Sequence, residues 1–386
     1  MRKRALKVVH VVPVTGQQSC GMYATVHDLV LAERSLGVDA NIYDPRPTPE
    51  EIAKITDQPA NTAKCPKCGE EFGLGEAVRV NESRVPDWTP DNGICTVPIE
   101  VFSQADLVVS HSGLSGELKK HLNCPYVHVA HGRPYSSFSI ERAGQTAIYT
   151  CYKEMDNDER LIAGVTLWPE YVDYWKLLWQ KTPVKVISPP CNLTRWTRDT
   201  EDYSFNGYRG KINVVVADMW RLDKGPYHVI NAFRLFAEKH PGARLHVYAA
   251  KQERAWGTLL GTMKEMGIMG EVLPMVSNLR HIYSSADMVI TPHNIATRIV
   301  RESMACGTQV VAGPMNKFTP YTTDPEDLAA YANTMDRAYQ EWTENKVGRI
   351  ELNREVAEEN FDSLETARQF VSLFEGILKC QKAEAA

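Results

Sequence analysis

The run from Ala286 to Gly313, ADMVITPHNIATRIVRESMACGTQVVAG, admits few folds. Met288 to Ile290 and Gln309 to Ala312 are short apolar stretches of the kind buried on both faces of a parallel sheet. Between them a helix begins near Arg298, carries Glu302 near its middle and stops at Gly307, a residue suited to the left-handed position past a helix end. The run is therefore a strand, a helical crossover and a second strand parallel to the first. An open α/β sheet binds ligands at the carboxyl ends of its strands, which puts a candidate site at the turn after Thr291. The helix that starts there offers unpaired N–H groups to an anion.

The rest of the chain repeats this alternation. Strands are expected at Leu6 to Val14, Val38 to Tyr43, Ala105 to Ser110, Tyr126 to Ala130, Ile148 to Thr150, Val165 to Leu167 and Val184 to Ile187. Helices fit Gly21 to Leu36, with Val26, Leu29, Val30 and Glu33 at helical spacing, Leu114 to Leu122 and Tyr171 to Gln180. The polar, turn-rich stretch Ser188 to Gly210 reads as a linker. A second series follows: strands Ile212 to Ala217, Leu245 to Ala249 and Glu271 to Val276, and helices Val229 to Lys239 and Arg254 to Met266. Pro325 to Glu341 and Ser363 to Leu378 close the chain as amphipathic helices. At 386 residues, two α/β domains of ordinary size fit, each with a parallel, doubly wound sheet.

Composition excludes some functions. A net charge of −5 gives no general attraction to nucleic acid or anionic membrane. No stretch reaches the about 18 uninterrupted apolar residues of a membrane span. The start, MRKRALKVVHVVPV, has a basic head, but Lys7 and His10 interrupt a signal-like apolar core, so it reads as a first strand. Nine cysteines, several of them isolated in apolar segments, suggest reduced thiols and a cytoplasmic setting.

Cys65-Pro-Lys-Cys68-Gly69 departs from that pattern. It is a zinc-knuckle-like turn that angles two thiolates toward one metal, within an insertion of about 62–97. Cys95 is the natural third ligand, and His111, His121 or Cys124 the fourth. The metal would be structural, ordering a segment too poor in apolar residues to build its own core. Asp156-Asn157-Asp158 has the look of an Asp-x-Asp metal motif but follows no apolar strand, and reads better as a polar helix start.

Glu302-Ser303-Met304-Ala305-Cys306-Gly307-Thr308 resembles the second half of the donor signature of the large family of retaining, nucleotide-sugar-dependent glycosyltransferases with the GT-B fold (family 4-like). That signature is Glu, seven residues, Glu, then Ala-Met-Ala-Cys-Gly-Thr and a strand; here Asn294 holds the place of the first Glu. The resemblance implies two Rossmann-like, doubly wound domains facing a cleft. It divides the chain into an acceptor domain at about 1–190, a donor domain at about 205–360 and a last helix at about 361–386 returning to the first domain.

The same resemblance assigns residues to the chemistry. Glu302 would clasp the ribose hydroxyls of a UDP- or GDP-sugar, with Asn294, Thr297 and Arg298 beside it. Lys224, before Gly225 in DMWRLDKGP, matches the family's phosphate-binding Lys-Gly, and Arg221 stands for the displaced arginine. Such cations stabilise the departing diphosphate. Gly16 to Met22, with Gly16 and Gly21, resembles the glycine loop that faces the diphosphate. His131-Gly132, at a strand end, matches the His-Gly near the reacting sugar. With the leaving phosphate able to take the acceptor's proton, His131 is expected to position and polarise. No catalytic metal is implied.

The expected activity is sugar transfer with retention to an acceptor hydroxyl of a glycan, a small molecule or a modified nucleobase. An acceptor in DNA would need a basic groove that the net charge does not indicate. An epimerase or hydrolase on the same fold, or a non-catalytic nucleotide-sugar binder, are the alternatives. Trp168, Trp175, Trp179 and Trp196 are read either as sugar-stacking surface or as core.

Overall fold

The computed structural model describes residues 4–12, 21–45, 62–64, 71–73, 97–111, 114, 116–132, 152–208, 211–217, 226–248, 254–273, 276 and 278–384. The chain forms two compact units, Met1–Pro189 with Thr366–Ala386, and Pro190–Glu365. Among the described residues, no helix is long and apolar enough to cross a membrane.

The first unit is built on strands β1 (Lys7–Val11), β2 (Asp39–Tyr43), β5 (Leu107–Ser110), β6 (Tyr126–Ala130), β7 (Leu161–Thr166) and β8 (Val184–Val186), with β3 (Thr62–Lys64) and β4 (Glu71–Gly73) as a separate antiparallel pair. The six strands are parallel in the order β2-β1-β5-β6-β7-β8. Helices α1 (Gly21–Ser35), α2 (Ile99–Ser103), α3 (Gly116–Lys120) and α4 (Val172–Leu178) lie between them in sequence. Chain direction across the sheet reverses between β1 and β5, which makes their carboxyl ends the switch point where such sheets bind ligands.

The second unit repeats the plan. It holds β9 (Ile212–Val216), α5 (Pro226–Lys239), β10 (Ala243–Val247), α6 (Arg254–Glu265), β11 (Met269–Val272), α7 (Leu279–Ser285), β12 (Met288–Ile290), α8 (Arg298–Ala305) and β13 (Val310–Val311). The strands are parallel in the order β11-β10-β9-β12-β13, so the switch point falls between β9 and β12. Helices α9 (Leu328–Glu344), α10 (Lys346–Phe361) and α11 (Ser363–Glu384) complete the chain. Val229, Phe233 and Phe236 of α5 are fully buried with Val214, Leu245 and Met288 in one apolar core. Full burial of each such side chain stabilises by about 1.5–3 kcal/mol.

One device sets the register across both switch points. Asp106 accepts from Lys7 N (2.9 Å) through Oδ2, and its own N–H donates to Lys7 O (2.9 Å). Asp287 does the same with Asn213, at 2.8 Å and 2.9 Å. Each aspartate stands one residue ahead of an all-buried strand, in the related runs Ala105-Asp106-Leu107 and Ala286-Asp287-Met288. Trp342 Nε1 also donates to Asp287 Oδ1 (3.1 Å), tying α9 to the same carboxylate.

Several expectations shift. The strand expected at Val165 to Leu167 is β7, Leu161–Thr166, beginning earlier; the strand expected from Glu271 is β11, Met269–Val272. Ile148 to Thr150 lies outside the described residues. The stretch from Ser188 is not a loose linker, because Cys191, Trp196 and Phe205 are buried and Cys191 N donates to Phe361 O (2.7 Å). Helix α7 was not expected, nor was α10, which buries only Asn353, Ala357 and Phe361 and so lacks an apolar stripe. From Thr366 onward the last helix belongs to the first unit, where Thr366 Oγ1 lies 3.2 Å from Ser188 O.

The tryptophans are core, not sugar-stacking surface: Trp168, Trp175, Trp179 and Trp196 are all buried. Trp175 and Trp179 stack at 4.9 Å, and a Cβ at Gly164 would lie 2.3 Å from Trp179, so β7 needs glycine there. Asp156 ends a helical turn instead of starting one and accepts from Gln180 N and Thr182 N, both at 2.9 Å. Asp158 pairs with Arg160 (2.9 Å) and Lys119 (3.3 Å), so neither aspartate is a metal ligand.

Candidate functional site

In the second unit the site is built on the carboxyl end of β12. Thr291 N donates to Val311 O (3.0 Å), continuing the ladder with β13 one residue past the strand. The buried Tyr331 hydroxyl, from α9, lies 2.9 Å from both Thr291 O and Val311 O and fastens the two strand ends together. Beyond Thr291 the chain turns sharply against Gly313, whose N–H donates to His293 O (3.0 Å). A Cβ on Gly313 would lie 2.3 Å from Asn294 Oδ1 and 2.6 Å from Pro292 O. Glycine is required there for Asn294, half-buried, to take its place in the turn; Asn294 Oδ1 lies 3.4 Å from Met315 N.

Helix α8 starts at this turn. Thr297 is its N-cap residue with φ −56° and ψ 172°, and its carbonyl accepts from Arg301 N (3.0 Å). The Thr297 hydroxyl makes no capping bond and is buried without a partner among the described residues. A buried hydroxyl costs free energy until something bonds it, so this one has bonding capacity for a water or a ligand. Glu302 is buried one turn further in and forms an ion pair with Arg298. Asn294, Thr297, Arg298 and Glu302 are thus brought together at one helix start, where the aligned peptide dipoles favour an anion.

The other end of α8 is held firmly. Gly307 has φ 78°; Thr308 N donates to Ser303 O (2.9 Å) and Gly307 N to Met304 O (2.8 Å), a left-handed helix stop. Two guanidinium groups reach the last carbonyls. Arg354 Nη1, from α10, donates to Ala305 O (2.8 Å) and Trp196 O (2.9 Å), and its Nη2 to Leu193 O (3.2 Å). Arg198 Nη1 donates to Cys306 O (3.2 Å). Cations at a helix C-terminus oppose its dipole and fix it in place. Burial pushes the adjacent Cys306 thiol up to about 12, so it is a packed neutral group.

In the first unit His131 follows β6, and it is the end of a line of four side chains. His131 Nε2 lies 2.7 Å from His111 Nδ1, His111 Nε2 2.9 Å from His10 Nδ1, and His10 Nε2 2.8 Å from Glu33 Oε2. Sequence reasoning singled out His131 and passed over His10 and Glu33 as parts of a site. The signal was a histidine within an apolar strand and a carboxylate on the apolar stripe of a helix. It offered His111 as a zinc ligand; that is corrected, because both ring nitrogens of His111 are spent within the line. Burial, then the neighbouring His131, His10 and His128, hold the His111 imidazole well below its usual range.

Gly21 is the first residue of α1, and its carbonyl accepts from Thr25 Oγ1 (2.8 Å). Gly16, Arg221, Lys224, Cys65, Cys68 and Cys95 lie outside the described residues. Among the described residues no group of three or more side chains could hold a metal ion.

Comparison with known proteins adds to this geometry. Residues 210–341 match the family model for glycosyl transferases group 1. No curated protein sequence matches the chain. Similar solved structures include a glycosyltransferase from Rickettsia africae ESF-5, 14% identical, with a TM-score of 0.65 over 98% of this chain and 100% of that one. Sucrose-phosphate synthase from Thermosynechococcus elongatus is 15% identical, with a TM-score of 0.67 over 97% and 100%. Anabaena Alr3699/HepE, solved with UDP-glucose, is 13% identical, with a TM-score of 0.67 over 96% and 100%. The shared fold is GT-B.

The clamp on α8 is testable. Arg354→Met keeps the aliphatic stem but leaves three carbonyls without their donor. Its loss should lower unfolding free energy by about 2 kcal/mol, the scale of a charged hydrogen-bond donor. Urea denaturation checks this, and unchanged stability would mean that α8 is held by packing alone.

Proposed function

We propose that this chain, a group 1 glycosyltransferase of GT-B fold that takes its sugar from a nucleotide-sugar donor, uses a UDP-sugar and transfers the sugar with retention to an acceptor hydroxyl. The observation that carries the proposal is the start of α8, with Glu302 buried one turn inside and the Thr297 hydroxyl unsatisfied, at the switch point of the second sheet. The UDP-glucose bound by Anabaena Alr3699/HepE supports the choice of UDP.

In this reading Glu302 accepts from the ribose hydroxyls, since a carboxylate has acceptor sites for both. Arg298, its partner in the protein alone, turns to the diphosphate. Lys224 holds the same anion and stabilises the charge that grows on it as the sugar–phosphate bond breaks. Asn294 bonds a sugar hydroxyl as both donor and acceptor, where the related signature places a carboxylate.

A thermal-shift screen of UDP-, GDP- and ADP-sugars tests the donor. A ligand that binds only the folded state at about 100 times its Kd adds about 2.7 kcal/mol of stability. UDP-sugars should raise Tm and the others should not; stabilisation by GDP- or ADP-sugars alone would overturn the assignment. Lys224→Ala should cut turnover of the stabilising donor about 10²–10³-fold, the scale for loss of one electrostatic donor.

We also propose a structural zinc on Cys65, Cys68 and Cys95. What supports it is the CPKC spacing, which sits in sequence between paired strands β3 and β4. Protein purified without added metal should carry about one zinc per chain, lost in the double variant Cys65→Ser with Cys68→Ser. Metal-free native protein with freely titratable thiols would overturn this.

A further inference from the structure

The ion pair between Arg298 and Glu302 runs against the order that stabilises a helix. Arg298 is the first residue of α8, and Glu302 follows four residues later. Peptide dipoles repel a cation at a helix start, and the favourable order is an acid followed four residues on by a base. Here that order is reversed. The first turn holds no acidic residue, and a second cation, the buried Arg301, follows in the same stretch. The pair is also withdrawn from water, with side-chain exposures of 17% and 6%. Two charges taken out of water and set against the helix field are poorly explained as a stabilising device. An anion at the helix start accounts for them, because it meets the dipole and the guanidinium together.

Helix α8 is not able to shift easily to relieve the pair. Arg354 and Arg198 bond its last carbonyls, and the turn at Gly307 closes it. An exchange of partners therefore falls to the Arg298 side chain.

The pair ties the two halves of a nucleotide to each other. On the donor reading Glu302 accepts from the ribose hydroxyls and Arg298 meets the diphosphate, whereas in the protein alone each charge answers the other. A ligand that brings only a ribose occupies the carboxylate and leaves the guanidinium desolvated without its counter-charge. A ligand that brings only a diphosphate does the reverse. Engaging one partner of a buried pair is costly, because the other stays behind uncompensated. A ligand with both groups meets neither cost, since each charge trades one partner for another.

We propose that Arg298 is a specificity-determining residue which, by pairing with Glu302, makes the site answer only to a ribose and a diphosphate joined in one ligand. The proposal rests on the donor reading of α8 given above. Sugar transfer begins and ends with a nucleoside diphosphate. Nucleosides and inorganic pyrophosphate each carry one half of that ligand, and the pair turns both away. The coupling is reciprocal: filling the ribose half favours the diphosphate half by the same factor as the converse.

Isothermal titration calorimetry on the full chain tests this, with uridine, inorganic pyrophosphate and UDP as probes. In Arg298→Met, which keeps the aliphatic stem without the charge, UDP should bind more weakly and uridine about tenfold more tightly, within the usual span of coupling between two sites. In Glu302→Gln, UDP should again weaken, while pyrophosphate binds about tenfold more tightly. Uridine is uncharged, so its gain does not come from a change of net charge at the site. A fragment too weak to measure in the wild type but measurable in its variant is the same result. Melting curves without ligand check that both variants fold; where Arg298→Met does not, Glu302→Gln carries the test. No gain by uridine in the first variant, or by pyrophosphate in the second, would overturn the coupling. With UDP-glucose still bound by the wild type, that outcome leaves the donor reading intact. A wild type that binds neither UDP nor UDP-glucose overturns the donor reading, and the coupling with it.

Discussion

Each sheet is pinned at its switch point by one carboxylate. Asp106 bonds both backbone groups of Lys7, and Asp287 both of Asn213, so the strand pairs β1–β5 and β9–β12 can meet in one register only. In a sheet buried on both faces a slip of one residue exchanges every side chain between the faces. In the first unit such a slip would part His10 from His111; in the second it would shift Thr291, at the end of β12, against β9. The bonds are made at the amino ends of the strands, while the functional side chains sit at the carboxyl ends. Position at one end of the sheet is thus set by polar contacts at the other.

From that fixed frame the two units diverge in what they present. The second presents a helix start. Arg198 and Arg354 hold the far end of α8, the Gly307 turn ends it cleanly, and Gly313 lets the preceding loop fold close against it. Glu302 is buried with Arg298 as its counter-ion, so the pair is already desolvated before a ligand arrives. Pairing and bonding of this kind are what make a buried carboxylate tolerable. The first unit holds one line of bonded side chains from Glu33 on α1 through His10 and His111 to His131 past β6.

Much of this was legible in the sequence because it rests on local rules. Apolar runs with helices between them gave both sheets, and ESMACGT placed Glu302 and its helix stop at Gly307 where the structure has them. What escaped notice depends on contacts distant in sequence. His10 and His111 are 101 residues apart, and only the β1–β5 pairing brings them together. Helix α10 has too few buried side chains to mark itself by periodicity; its Arg354 acts on carbonyls 49 and 158 residues away. The tryptophans were ambiguous because the same residue type serves cores and sugar sites, and burial alone separates the two.

The claim on which the account turns is that the start of α8 receives the nucleotide of a UDP-sugar. A crystal structure of the full chain with UDP-glucose tests it most directly. The account predicts the ribose hydroxyls within hydrogen-bond distance of the Glu302 carboxylate, the diphosphate at the helix start, and Arg298 turned from Glu302 toward it. A nucleotide bound elsewhere, with Glu302 still paired to Arg298, would contradict it.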